Sequence, residues 1–590
     1  MSHTFRYNIV MKMEKLGMKK KILALVICFC LSLSIFTGCT LFQKDTLRYN
    51  NQVVAKVGNQ TITREEVVNM YYTYYYNYYY YIYGYSEDEL MSLVYDSLVT
   101  RKVILEEAKQ IIQLKNSEVN ELWEQVYENI QDTLDSKVKT MLENDGYDEE
   151  SDLYKEYFPE EESSTKYIYK LYELETLPKP DYTNFNPNDV ELSTSNNVLP
   201  KEEDYTKDYM LKAYKEWVTE LIQSARLAGK STNVNDVLQA ELNRQYKVFE
   251  ESKYIEKYQE YIEGQNLSIG NETEAVKLVL EKYEMLLTAD QQTYGLLGNY
   301  ETTMNGTDND HLVLYHNPNS TGYFQVQHIL VSFTDEQKKV LESMDGYDED
   351  KDAIYREEYL QKLEEFMNDL ITSENGIMYR ENYDDEETYK EISAQDSTVT
   401  FANLQAELDA LVKALKTGGS YADYAQGFNK LMYKYSADPG LITEDSLSQF
   451  TGYYVPLDPE ENGAWIKEFA DASRDLYTNS YENGFADGRY YTMVATSNGV
   501  HIIMITGEVQ KGNLVDFSGI ENDDSAKIQA LQNTFISLRE DKSVYDYLYE
   551  LVLADQQETF FNTYMGKKVQ ELEENGTIVY YYKTYDEIMG

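Results

Sequence analysis

Apolar and polar positions alternate in two distinct ways along the chain, and the first helical stretch is bracketed by clear end signals. VVAKV from residue 53 reads as a short strand, and Gly58-Asn59-Gln60 as a turn. Thr63 with Glu66 forms a capping box, and Ile62 and Val67 are spaced as a hydrophobic staple, so a helix starts near Arg64. That helix runs into YYTYYYNYYYYIYGY at 71–85, with eleven tyrosines in fifteen positions. Every face of any element would carry tyrosine there, so periodicity does not assign the run and its flanks must. Gly84 suits the position just past a helix end, and Ser86 with Glu89 opens the next helix, with Tyr85 and Leu90 as its staple. The flanks predict one α-helix of about twenty residues, near 30 Å long. Beyond it Leu93, Val94, Leu98, Leu105, Ala108 and Ile112 recur at helical spacing as a core face, and Ser117 begins a further helix.

Residues 140–165 are acidic, and 178–205 hold Pro178, Pro180, Pro187 and Pro200 among Asn, Ser and Thr, the pattern of a long loop. Helical spacing returns over about 206–290, and NGTDNDHLVLYHNPNST at 305–321 reads as a linker. A mixed α/β section follows to about 510, then a long helical segment over 523–574. DGYDEESDLYKEYF at 145–158 is echoed by DGYDEDKDAIYREEY at 345–359. Asp348, Asp350 and Asp352 alternate as in a calcium loop, but Ala353 stands where the sharp turn needs glycine and Tyr359 where a bidentate glutamate is needed. Both segments therefore read as acidic helix starts, and no metal site is expected.

The N-terminus adds an address. Lys19, Lys20 and Lys21 precede an apolar stretch, Ile22 to Phe36, too short for a comfortable membrane span. It ends in Phe36-Thr37-Gly38-Cys39, which resembles a bacterial lipobox; the other reading is an ordinary secretory signal that happens to contain a cysteine. The lipobox resemblance implies a signal peptide over 1–38, a diacylglycerol on the Cys39 thiol, and a tether over 39–51. Met18, heading MKKKILALV, is a second candidate start. Cys28 and Cys30 would leave with the signal, so the mature chain would keep Cys39 alone, without an intrachain disulfide or a cysteine-based metal site. The mature chain would hold 47 Lys+Arg against 102 Asp+Glu, a net charge of −55, which argues against nucleic acid because phosphates would be repelled. With 42% hydrophobic residues and nine prolines, the chain is globular and long enough for two or three domains.

The chain has five histidines, and two of them, His328 in FQVQHILVSF and His501 in NGVHIIMITG, sit inside β-branched runs. A lone histidine on an apolar strand is usually packed core; a pair on two such strands resembles something specific. QHILVSF (327–333), LVKALKTGGSYADYAQGFNKLMYKYSADPG (411–440), WIKEFADASRDL (465–476) and SNGVHIIMI (497–505) resemble, in order, the first strand, the helix-turn-helix with its Tyr-Ser-x-Asp turn, the pocket helix and the closing strand of parvulin-type peptidyl-prolyl isomerases. VVAKVGNQTITREE and LVTRKVILEEAKQ (98–110) are similar to the opening of the SurA/PrsA chaperone domain. With the lipobox, the whole chain resembles the PrsA-type foldase lipoproteins.

That resemblance implies an α+β chain. A mostly helical chaperone domain would be built from 52–310 and closed by the C-terminal segment 523–590, with a parvulin-like domain, a small antiparallel sheet flanked by helices, over 321–510. It implies a catalytic set of His328, Asp438 and His501. Substrate-binding positions would be Leu447, Phe450, Trp465, Phe469 and Asn498. It implies no cofactor and no metal, unfolded exported polypeptides as partners, and a place at the cell membrane on the extracytoplasmic face through the lipid on Cys39. The chain departs from the family in three places. DSLSQF replaces the family's GGDLGWF and loses its glycines, Trp465 stands where methionine or leucine is usual, and roughly 65 extra residues (about 336–400) separate the first strand from the first helix. Three functions are open at this point: prolyl isomerisation of exported chains, a non-catalytic holdase with a degenerate parvulin domain, and a solute-binding or adhesive lipoprotein.

Overall fold

The computed structural model describes residues 50–80, 84–147, 151–158, 209–227, 229–265, 268–270, 272–306, 311–344, 353–380, 394–438, 440–441, 447–460 and 465–589. Cys39, the expected signal peptide over 1–38, the proline-bearing stretch 178–205 and the aspartates 348, 350 and 352 lie outside them. Over the described residues the chain is α+β, mostly helical with small antiparallel sheets. It divides into two units, one formed up to residue 267 together with 557–590, the other by 268–556.

In the first unit Val53–Val57 pairs antiparallel with Gln60–Thr63, and Ile578–Tyr580 pairs along its other edge, so the end of the chain completes the sheet that its beginning opens. Both capping boxes form, Thr63 with Glu66 and Ser86 with Glu89. The helix between them differs from the expectation in its winding. It is α-helical over Arg64–Met70 and then takes the wider π pitch over Tyr71–Tyr80. End signals mark where a helix starts and stops; they carry no information about its pitch. Tyr71 and Tyr79 are buried in the core, Tyr71 against Tyr585, while Tyr72, Tyr76 and Tyr80 form a ladder of rings 5.8 and 5.0 Å apart with Tyr72 and Tyr80 exposed. Helices Glu87–Ile111, Asn116–Asn144, Tyr209–Leu227 and Val234–Glu263 pack in this unit, with a buried Arg101–Glu251 pair at 2.8 Å joining the first to the last, and Phe561 and Met565 of the C-terminal helix share its core.

The second unit is built on a four-stranded antiparallel sheet in the order Tyr453–Pro456, Tyr323–Ser332, Gly499–Glu508, Thr492–Thr496. The two central strands are buried along nearly their whole length, and among their apolar residues they bury the polar Gln325, Gln327, His328 and His501. Helices Phe401–Lys416, Tyr421–Tyr435 and Lys467–Leu476 pack with it around Phe324, Ile329, Phe428, Ile502 and Met504.

Three boundaries differ from the expectation. Residues 268–304 and 523–556 belong with this second unit: Val279, Leu280 and Tyr283 share a core with Leu531, Val544 and Leu548. The stretch 305–321 is no mere linker, since Leu312 and Leu314 are buried in that core and Tyr315–His316 pairs with Gly512–Asn513. The segment 523–574 is two helices, Asp524–Asn533 and Val544–Glu574, joined by a turn closed through Phe535 and Ser543.

The segment that the resemblance leaves unmatched, about 336–400, is part of the same core. Leu341, Tyr359, Leu363, Phe366, Ile377 and Tyr379 from its helices and hairpin are buried there, with the Phe366 ring 5.8 Å from Phe333. Gly452, at φ +79, turns the chain into the edge strand, and a Cβ at that position would collide with the Val326 carbonyl oxygen of the neighbouring strand. Gly452→Ala is therefore expected to destabilise the second unit by more than about 1 kcal/mol, read as a lowered urea midpoint at unchanged slope; an unchanged midpoint would contradict the pairing of Val326 with Tyr453.

Candidate active site

Register places four polar side chains on one face of the second unit's sheet. Val326 lies opposite Tyr453, Leu330 opposite His501, and Val494 opposite His501. Because side chains alternate with a period of two, Tyr453, His328, His501 and Thr496 all point the same way, one from each strand, along a diagonal. They are joined by hydrogen bonds. His328 Nε2 is 2.6 Å from Asp438 Oδ2, His328 Nδ1 is 3.0 Å from His501 Nδ1, and His501 Nε2 is 2.8 Å from Thr496 Oγ1. The Asn498 N–H donates to Thr496 Oγ1 at 3.2 Å.

One proton arrangement satisfies every contact with both rings neutral. The Thr496 hydroxyl donates to His501 Nε2, His501 Nδ1–H donates to His328 Nδ1, and His328 Nε2–H donates to the Asp438 carboxylate. The chain of donors thus points at one negative charge. That charge also accepts the Gly440 N–H at 2.8 Å and the Tyr453 hydroxyl at 3.1 Å. Burial raises the Asp438 carboxyl, but the bonds from His328, Gly440 and Tyr453 outweigh it and bring it down to about 2. Burial, with His328 alongside, holds the His501 imidazole well below the usual histidine range, against the pull of Asp438.

Asp438 itself is placed by the end of helix Tyr421–Tyr435. The Arg380 guanidinium, from the extra segment, donates to the Tyr433 and Ser436 carbonyls at 3.0 and 2.7 Å, a cation at a helix C-terminus. Ser436 Oγ accepts the N–H groups of Leu330 and Asp438, and the Ala437 N–H donates to the Leu330 carbonyl, which ties the Asp438 turn to the central strand.

Above this floor is an open cavity of about 420 Å³. Its walls are apolar: Phe469 lies edge-on to His328 and His501 at 5.0 and 5.2 Å, and Trp465 is 4.6 Å from the Tyr453 ring. The Trp465 indole N–H donates to the Tyr454 carbonyl at 2.8 Å, so the large ring is pinned as a wall and leaves the cavity open. The pocket helix Lys467–Leu476 is joined to the extra segment by the Arg356–Glu468 ion pair. Asn498 lies at the rim, its carbonyl accepting from the Phe333 N–H and the Ser332 hydroxyl.

Of the residues taken from the resemblance, His328, Asp438, His501, Trp465, Phe469 and Asn498 line one cavity. Leu447 and Phe450 do not. Leu447 is buried with Val515 and Leu531 in a separate core, and Phe450 packs beside it with Lys542 4.6 Å over its ring. Tyr453, Ile466 and Lys338 also line the cavity, beyond the residues that the resemblance implies, and Thr496 lies beneath them. One of these has a signal in the chain: Thr496 stands two residues before Asn498 in the hairpin.

No family model, curated protein or solved structure matches the chain. No cluster of three or more metal-ligating side chains occurs among the described residues, and none of their helices is long and apolar enough to cross a membrane.

A pH dependence follows from the buried histidines. In the unfolded chain His501 takes up a proton as pH falls through about 6.5, while in the fold it excludes one. The unfolded state then holds more protons, so this group's contribution to stability is lost as pH drops below that value. Asp438, lower when folded than unfolded, loses its contribution only between about 4 and about 2. Asp290, raised by burial in the same unit, works in the opposite direction. The decisive comparison is therefore between variants: the melting temperature should fall more between pH 7 and pH 5 in the parent chain than in His501→Gln. Equal falls would refute the buried neutral imidazole.

Proposed function

We propose that the chain is an extracytoplasmic foldase, held to the membrane by a lipid on Cys39, that catalyses cis–trans isomerisation of prolyl peptide bonds in exported, unfolded polypeptides. The observation that carries this reading is the apolar cavity walled by Tyr453, Trp465 and Phe469 over the His328–His501 pair. The sequence resemblance to parvulin-type isomerases supports it, as does the convergence of six of its eight catalytic and substrate-binding positions on that cavity.

The chemistry asked of such a site is modest. Rotation about a prolyl amide faces a barrier of about 18–20 kcal/mol and takes tens to hundreds of seconds unaided. In the twisted transition state the nitrogen is no longer conjugated with the carbonyl, and the amide is less polar. Aromatic walls that hold the proline ring and exclude water favour that state over the planar one. All four ring nitrogens of His328 and His501 are engaged in the floor, so the pair acts by fixing its shape and polarity. Asp438, held ionised by three donors, has no proton to give.

In a proline-tetrapeptide assay the soluble chain is expected to accelerate isomerisation, and Phe469→Ala to lower that acceleration about tenfold or more through lost apolar contact. No rate above the spontaneous one would remove the proposal. A holdase reading is favoured by a different observation, the half-exposed ladder Tyr72, Tyr76 and Tyr80 in the first unit. It predicts that suppression of client aggregation survives Phe469→Ala and falls when Tyr72 and Tyr80 are both replaced by serine.

A further inference from the structure

A second cavity lies on the other face of the same sheet. Tyr453 and Tyr454 are neighbours on the edge strand, so their side chains point to opposite faces. Tyr453 lines the first cavity, whereas Tyr454, with Gln325 opposite it on the central strand, lines the second. This cavity holds about 210 Å³ and has apolar walls that include Leu312, Leu514, Ile536 and Leu538. Phe535, 40% exposed, also lines it.

Besides Tyr454, its ionisable groups are His316, Glu508 and Glu540. His316 is only 3% exposed; its Nδ1 is 3.0 Å from the Tyr300 hydroxyl, and its Nε2 has no hydrogen-bond partner among the described residues. Burial lowers this imidazole to about 4, so it is neutral, and with Nδ1–H donating to Tyr300 it keeps an acceptor lone pair on Nε2. Glu508 and Glu540 are exposed. The lining has no lysine or arginine: Arg539, beside Glu540 in the chain, pairs with Asp541 and donates to the Gln449 carbonyl. With 103 Asp and Glu in the chain, two carboxylates at a rim assign nothing by themselves. The buried acceptor and the exposed aromatic ring in the same lining are what point to a ligand. No cluster of three or more metal-ligating side chains occurs among the described residues, so these groups are too spread for a metal ion and suit an extended cation.

We infer that this second cavity binds an arginine side chain, carried by a polypeptide or free. The guanidinium presents five donors in a planar fork and no acceptor, which matches a lining of two carboxylates and an imidazole lone pair. Its flat face suits the Phe535 ring, and its aliphatic stem suits the leucine and isoleucine walls. A lysine ammonium, a compact point charge, meets fewer of these groups at once. None of these residues lines the first cavity, so the inference does not rest on the isomerase reading.

The test uses end-blocked, proline-free peptides of one sequence with arginine, lysine or the neutral isostere citrulline at the centre, and N-acetylarginine amide as a fourth probe. Salt is held at about 0.15 M, where long-range attraction to the negative surface is screened. Binding is followed at the ring nitrogens of histidine-labelled chain. The arginine peptide is expected to shift His316 and to leave His328 and His501 in place. It should bind about three- to tenfold better than the citrulline peptide, the size of two exposed ion pairs, with lysine between them. That advantage should vanish when Glu508→Gln and Glu540→Gln are combined. It should persist when Glu357→Gln and Glu358→Gln are combined, which removes the same charge from exposed positions outside the cavity. N-acetylarginine amide separates the sources: affinity equal to the peptide's assigns the site to free arginine compounds, and weaker affinity to a polypeptide. Equal binding of the arginine and citrulline peptides overturns the inference, as does an equal loss in the two double variants or a shift confined to His328 and His501. Arginine binding at His316 without any prolyl isomerisation removes the proposed function and keeps this site, whereas isomerisation without an arginine preference does the reverse.

Discussion

Two buried imidazoles must find partners for four ring nitrogens, and the second unit is arranged around that requirement. An unmatched buried polar group costs about 1–3 kcal/mol. Asp438, His328, His501 and Thr496 avoid that cost only while the sheet keeps its register. A slip of one residue would turn His328 or His501 to the opposite face and leave its partner alone. The same alternation that aligns them brings Tyr453 to the edge of the row, where its hydroxyl meets Asp438 and its ring meets Trp465. Fold and cavity floor therefore specify each other.

The extra segment belongs to this arrangement. Arg380 holds the helix end from which Asp438 follows, Arg356 reaches the pocket helix through Glu468, and Lys338 contributes to the rim. Its apolar side chains complete the core under the first strand. The extra segment thus supplies a helix clamp, a brace and one residue of the cavity lining.

The legible part of the chain is local. Strand and helix identities around His328, Tyr421–Tyr435, Phe469 and His501 follow from short patterns, and residues within those patterns reach the same cavity. The illegible part depends on partners distant in sequence. Phe450 lies in the short helix Ser448–Thr451, which Leu447 caps, and the core formed by Val515, Leu531 and Val544 captures them. The division at 267 rather than 310 is set by the packing of Tyr283 against 515–548, which no local pattern announces. In the tyrosine run, capping chemistry marks the ends of the helix, whereas its π pitch has no such signature.

Every contact in the cavity floor follows from one direction of hydrogen bonding, from Thr496 through His501 and His328 into the Asp438 carboxylate. Ring nitrogen NMR on histidine-labelled chain at neutral pH tests that direction without perturbing it. Two neutral imidazoles with opposite tautomers are expected, His328 carrying its proton on Nε2 and His501 on Nδ1, with a coupling across the shared Nδ1···Nδ1 bond. Identical tautomers, or an imidazolium at His501, would contradict it.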